Sequence, residues 1–408
     1  MKLKYIILFS LIWLYSGAKA QSSLSQYLTI AAENNPQLKA GFQNYMAALQ
    51  RVPQVQALPD PKLAFGYFIQ AVETKTGPQQ FKVGLSQMFP WFGTLQLAGQ
   101  TQAYKAKAAY EDFLEAKANL FKQVKTVYYT LYFQRENIKI IKESIEIVKR
   151  FKSLAQQKVI TGKSSSVDVL RADMALNQMQ NDLKLWQDKF EATKITFENI
   201  LNKPLNNINL PSELLPEKLP SLAVLQKKLE KNHAILKQDW LSKQFQTKEK
   251  LARKKRWPNF SVGVDYTNIG GIQFQGWTND ALLLKVGFSL PIFRSKYKAA
   301  EAEANHQQKA SSQKKLAIKN TVLSSLENLY AAHKDALRKV NLFERQGKLA
   351  KRSIDLLQSD YMSGLPVFEE VLRMEQKYLK YSIEKQKALT ETYKLSAAVQ
   401  YLLGNINN

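Results

Sequence analysis

Cysteine is absent from the 408 residues, and histidine occurs only at His233, His306 and His333. The first absence excludes disulfide staples, thiolate metal sites, cysteine nucleophiles and a lipid anchor on an N-terminal cysteine. The second leaves three imidazoles far apart in the chain, with no spacing that ligates a metal. Long apolar runs are missing as well. Beyond the N-terminus no window of 18 apolar residues occurs, and the best segment, Ala281 to Phe293, is interrupted by Lys285 and Pro291, which argues against a transmembrane helix. No Ser-His-Asp set, paired-carboxylate site or phosphate loop stands in a setting that supports catalysis, so the chain is expected to be no enzyme and to hold no cofactor or metal. Acid is scarce beside base: 34 Asp plus Glu against 59 Lys plus Arg give a net charge of +25.

Such a surplus suits nucleic acid, but the N-terminus argues otherwise. Lys2 and Lys4 precede an apolar run from Tyr5 to Tyr15, and Ala18-Lys19-Ala20 supplies small residues for cleavage, the pattern of a secretory signal peptide at residues 1–20. This run of eleven residues, polar only at Ser10, falls short of the roughly 20 that a spanning helix needs. Loss of Lys2, Lys4 and Lys19 still leaves +22 on an exported chain beginning at Gln21. Nucleic acid is therefore not an expected partner.

The chain contains one unit written twice. Thr161-Gly162 followed by Val169-Leu170-Arg171 returns as Ser363-Gly364 followed by Val371-Leu372-Arg373, an offset of 202 residues. Downstream, the stripe Val169, Ala172, Leu176, Met179, Leu183, Trp186, Phe190, Thr193, Phe197, Ile200 maps by that offset onto Val371, Met374, Tyr378, Tyr381, Lys385, Ala388, Thr392, Leu395, Val399, Leu402. Both have the alternating three and four spacing of a coiled-coil seam, with Lys385 and Thr392 as weak points. Upstream, Asn35 matches Asn232 and Gly84-Leu85-Ser86 matches Gly287-Phe288-Ser289. The expected division is a signal peptide at 1–20, a first repeat at 21–203, a Pro- and Asn-rich connector at 204–220 and a second repeat at 221–408.

Each repeat runs through the same elements. A helical stretch, from Leu24 or Leu222, leads to two alternating segments: Leu63, Phe65, Tyr67, Ile69 then Phe81, Val83, Leu85; and Phe260, Val262, Val264, Tyr266 then Leu282, Leu284, Val286, Phe288, Leu290. Period two marks strands with two unlike faces, joined by polar turns expected at Ala71–Gln80 and Asn268–Asp280. Long helical stretches follow, Thr94 to Lys158 and Lys296 to Tyr361, almost free of Gly and Pro. The first has a seam of Phe113, Leu120, Val124, Val127, Leu131, Ile138, Ile141, Ile145 and Val148. At about 1.5 Å per residue each is a rod of roughly 100 Å. Turns at Gly162 and Gly364 reverse the chain into the returning helices.

Strands of this length, apolar on one face, fit a membrane barrel. Four cannot close one, and open edges in lipid leave backbone groups unpaired at several kcal/mol each, so insertion requires an oligomer. Phe89, Trp91, Phe92, Trp257 and Phe293 fall at the strand ends, where membrane-interface aromatics sit. A soluble coiled-coil scaffold is the alternative of another class.

This order, written twice, resembles the TolC-type outer-membrane efflux proteins, with Asn34-Asn35-Pro36-Gln37-Leu38 similar to their N-terminal signature and the Gly162 and Gly364 turns similar to their tip motif. The resemblance implies a mainly α fold with a small β part: duplicated helical hairpins plus four transmembrane strands per chain, a homotrimer whose twelve strands form one barrel and whose helices form a periplasmic tunnel. It implies residence in the outer membrane of a Gram-negative bacterium, and docking on a periplasmic adaptor and an inner-membrane pump of RND type. Leu58-Pro59-Asp60-Pro61-Lys62-Leu63 and Ser86-Gln87-Met88-Phe89-Pro90-Trp91-Phe92-Gly93 further resemble the heavy-metal cation efflux branch. The rival within exporters is a duct for drugs or a secreted polypeptide.

By that resemblance Asp168 and Glu370 are candidates for acidic gate rings at the tip. The competing reading places Asp168 in the first turn of a helix, where its charge complements the dipole. Arg171 and Arg373 stand where the family has a second acidic position, and suggest an arginine-carboxylate latch instead. Gly162, Lys163, Val167, Gly364, Leu365 and Pro366 are the expected adaptor contacts.

Overall fold

The computed structural model describes residues 23–270 and 280–406. The signal segment and the centre of the second hairpin turn lie outside them. In chain order the elements are α1 (Ser23–Asn34), α2 (Pro36–Gln56), β1 (Lys62–Thr74), β2 (Gly77–Phe89), α3 (Thr94–Ile160), α4 (Ser166–Leu201), α5 (Leu222–Lys228), a 3-10 turn (Leu229–Lys231), α6 (His233–Lys254), β3 (Phe260–Ile269), β4 (Ala281–Phe288), α7 (Arg294–Ser363) and α8 (Phe368–Leu402). Helix, hairpin, long helix and returning helix thus occur twice, and α3 and α7 run for 67 and 70 residues.

Two compact units emerge, each drawing segments from both halves of the sequence. The first, residues 23–40, 114–232 and 320–406 of the described chain, is helical. A core there joins four helices: Ile141, Ile145, Val148 and Phe151 of α3, Ala172, Leu176 and Met179 of α4, Ile354 and Tyr361 of α7, and Phe368, Val371 and Leu372 of α8. The two weak points of the seam are accommodated. Lys385 reaches Glu344 of α7 at 3.8 Å, and buried Thr392 donates its hydroxyl to the Leu389 carbonyl at 2.7 Å. Duplication extends to hydrogen bonds: Asn35 Nδ2 donates to the Ile200 carbonyl at 3.0 Å, and Asn232 Nδ2 to the Leu402 carbonyl at 2.9 Å. Acceptors 202 residues apart therefore meet the two asparagines that the sequence pairs. The connector is pinned through its backbone, with Tyr128 Oη donating to Asn209 O at 3.0 Å and Tyr393 Oη to Leu215 O at 2.7 Å.

The second unit, residues 41–113 and 233–319, holds one antiparallel sheet in the order β1-β2-β3-β4. The first hairpin departs from the sequence expectation. Its turn is not ten residues long but two, Lys75 and Thr76, because β1 and β2 continue through Thr74↔Gly77 after an irregularity between Tyr67 and Val72. Polar residues there pair through their backbones, which side-chain alternation does not register. Gly77 takes a φ of +136° at the turn exit, a conformation that favours glycine. In the second hairpin β4 stops at Phe288, leaving Leu290 outside the strand.

Register places the apolar side chains on one face: Leu63↔Leu85, Phe65↔Val83, Val83↔Tyr266, Leu85↔Val264 and Val264↔Leu284 are opposite one another. Leu63, Phe65, Tyr67, Leu282, Leu284, Val286 and Phe288 are 61–75% exposed. A contiguous apolar face this open marks a membrane or partner surface. The other face carries Lys62, Ala64, Gly66, Lys82, Gly84, Ser86, Ser261, Gly263 and Asp265. No helix among the described residues is long and apolar enough to cross a membrane.

Candidate functional site

The two helical reversals share one geometry. In the first, Gly162 has φ +66°, its N–H donates to Val159 O at 3.0 Å and Lys163 N–H to Lys158 O at 2.8 Å. In the second, Gly364 has φ +107°, its N–H donates to Tyr361 O at 3.2 Å and Leu365 N–H to Asp360 O at 3.1 Å. This is the Schellman closure of a helix, and it requires a residue free to adopt positive φ. Ser165 then caps α4 by accepting from Val167 N–H at 3.2 Å.

The sequence-derived gate residues gather here in two unequal sets. Asp168 accepts a hydrogen bond from Ser164 Oγ at 2.7 Å and faces Arg171 Nη1 at 3.5 Å. Arg171 extends to Glu369 of α8 at 3.0 Å, an ion pair linking the first repeat to the second. Glu370 instead pairs with Arg373 on its own helix. Asp168 and Glu370 thus each face an arginine of their own helix, and Asp168 also occupies the first turn of α4, where the dipole favours it. The chain alone does not bring Asp168 and Glu370 together. Tyr361, Ser164, Lys158 and Glu369 complete the cluster and were not singled out from sequence. Ser164 Oγ lies 3.2 Å from Tyr361 Oη, while Lys158 reaches the Tyr361 carbonyl and stands 4.3 Å from its ring centroid. Burial, foremost, and the nearby Asp168 raise the Tyr361 pKa, only partly offset by Ser164, so the phenol stays protonated.

Gly162, Lys163, Val167, Gly364, Leu365 and Pro366 are all exposed. Behind them Glu375 of α8 is fully enclosed, with neither carboxylate oxygen hydrogen-bonded. The equivalent residue of the first repeat, Asp173, pairs with Lys152 at 2.6 Å. Among the described residues no group of three or more histidine or acidic side chains converges as a metal set.

In the second unit, aromatics gather where the strands meet the helices. Trp91 stacks on Trp257 at 5.1 Å and Phe89 on Phe260 at 5.2 Å, with Phe92 5.8 Å from Trp91. Asn259 Oδ1 fixes the junction by accepting from Trp91 N–H at 3.2 Å. Phe92, Trp257 and Phe293 are exposed. The neighbouring basic run is partly neutralised, since Arg253 and Arg256 both pair with Glu301.

Several solved structures share this fold. The outer membrane protein VceC of Vibrio cholerae matches with a TM-score of 0.75 and 14% identity, over 93% of this chain and 96% of its own. The MtrE outer membrane channel of Neisseria gonorrhoeae matches at 0.77 and 17%, over 94% and 89%. CusC, whose structures concern folding and transmembrane channel formation, matches at 0.77 and 14%, over 94% and 92%. No curated protein resembles the chain closely enough in sequence to count as a relative. Residues 28–203 match the model of the outer membrane efflux protein family, and over 93–94% of its length the chain has the fold of these solved channels.

Proposed function

We propose that this protein is a trimeric outer-membrane channel, the exit duct of a tripartite efflux assembly. One observation carries the reading: a four-stranded sheet whose exposed face is apolar, whose other face is mostly polar and glycine-rich, and whose edge strands β1 and β4 have no strand neighbour among the described residues. In lipid those edges must pair, and β1 of one chain against β4 of the next closes twelve strands in a trimer. The family match over residues 28–203 supports the same role. Detergent-purified protein is expected to run as a heat-sensitive trimer and to form water-filled pores in planar bilayers. A monomer soluble without detergent would instead support the periplasmic scaffold.

The narrower assignments rest on the resemblance in sequence. The tip formed by Gly162, Lys163, Val167, Gly364, Leu365 and Pro366 docks a periplasmic adaptor, which couples it to an inner-membrane pump of RND type. Asp168, Arg171, Glu370 and Arg373 control the aperture, and Phe89, Trp91, Phe92, Trp257 and Phe293 sit at the membrane interface. The cargo is heavy-metal cations. A deletion strain should lose resistance to metal salts while keeping drug resistance; the opposite phenotype would assign the duct to drugs.

A further inference from the structure

The polar face of the sheet carries a charge cluster that the duct role alone does not require. Asp265 of β3 has a side chain only 1% exposed, and its carboxylate is gripped from both neighbouring strands. Lys82 of β2 contacts Oδ2 at 2.6 Å, and Lys285 of β4 contacts Oδ1. Gly84 is opposite Asp265, and a Cβ there would stand 2.5 Å from Oδ1. Gly263, opposite Lys285, is equally confined, since its Cβ would meet the Leu85 carbonyl at 2.9 Å. Gly84 therefore clears the space in which the carboxylate lies between lysines of the two flanking strands, while Gly263 admits the close approach of the β2 backbone.

The charges are unequal in number and in access. Lys62 shares this face through its pairing with Ser86, so three lysines stand against one aspartate. The carboxylate is covered, whereas the Lys82 and Lys285 side chains are 40% and 46% exposed. An ion passing along this wall meets ammonium groups first. If the apolar face contacts lipid, this wall lines the lumen, and the trimer repeats the excess of two positive charges threefold.

We infer that the barrel lumen prefers anions, with Lys82 and Lys285 as its selectivity-determining residues and Asp265 as the residue that positions them and damps their charge. Rings of like charge set ion preference in pores, and their field reaches about 8–10 Å at ordinary salt, so a wide lumen is biased rather than closed to cations. The inference rests on the trimeric-barrel reading. Metal cations delivered by a pump would cross this lumen because they are driven from behind, not because the wall attracts them.

The test is the reversal potential of the full-length protein in planar bilayers under a KCl gradient, comparing wild type, the double variant Lys82→Gln with Lys285→Gln, and Asp265→Asn. Loss of the lysines should lower the chloride-to-potassium permeability ratio about two-fold, and Asp265→Asn, which uncovers both ammonium groups, should raise it. General damage to the barrel would move both variants alike. Ratios unchanged in both variants, or shifted in the same direction, overturn the inference while leaving the duct intact. Failure of the wild type to form pores overturns the barrel reading, and the inference with it.

Discussion

Replacing Glu375 by glutamine should make the protein more heat-stable at neutral pH and no more stable in acid. The carboxyl is fully enclosed on α8 with no hydrogen-bond partner. Glu143 and Arg150 of α3, Lys351 and Asp355 of α7 and Tyr378 of its own helix line the same cavity of about 590 Å³. Burial raises the Glu375 pKa, and the proximity of Ser144 and Arg150 only partly offsets it. Above the ordinary value of 4.5, the unfolded chain releases this proton while the folded chain retains it. Stability is then lost as pH rises from the unfolded toward the folded pKa, at about 1.4 kcal/mol per pH unit. By pH 7.5 the loss is at most about 4 kcal/mol per chain. Glutamine keeps the shape without the ionisation. In a chain of this size about 1 kcal/mol corresponds to about 1 °C in Tm, so the variant should melt up to about 5 °C higher at pH 7.5. The gap should close as the pH approaches 4.5. Thermal melts across pH in detergent read this directly, and Asp173→Asn, which breaks the ion pair with Lys152, should show no gain. Equal melting at pH 7.5, or a gap that widens in acid, would refute the reasoning.

Asn35→Ala and Asn232→Ala should each destabilise by about 1–2 kcal/mol in denaturant titrations, since each removes the tie to its returning helix. Asn35 Oδ1 also accepts from Leu38 N–H at the start of α2, and caps are worth about 1 kcal/mol, which places Asn35→Ala at the upper end of that range. Gly84→Leu drives a side chain into Asp265, and should lower the temperature at which the trimer dissociates on gels. Arg171→Ala cuts the link from Asp168 to Glu369; single-channel conductance should rise, and an unchanged value would count against the latch.

The repeat, the two rods, the four strands and the tip glycines were legible because each rests on local pattern: a period, a breaker or a matched offset. Tyr361 and Ser164 were not, since a contact across 197 residues leaves no mark in one sequence. The buried seam also shifted. Val124, Leu131, Ile141, Ile145 and Val148 are buried as their spacing implies, but Asn137 and Ser144 occupy the enclosed face and Ile138 is only half-buried. A hydrophobic stripe drifts around a helix of 3.6 residues per turn, and a reading that counts only apolar residues passes over the polar ones at its centre. Glu375 was missed on the same account. Likewise Asp265 reads from sequence as one more polar residue of a strand; its two lysine partners come from register alone.

The most direct test of the central claim is whether β1 of one chain closes against β4 of another in the membrane. The absence of native cysteine makes this free of background: Ala64→Cys combined in turn with Leu283→Cys, Lys285→Cys or Gly287→Cys scans the possible registers along the two edges. Oxidised in intact outer membranes, at least one pair should give a crosslinked ladder that ends at three chains. No crosslink in any register, or a ladder running past three, would contradict a closed trimeric barrel.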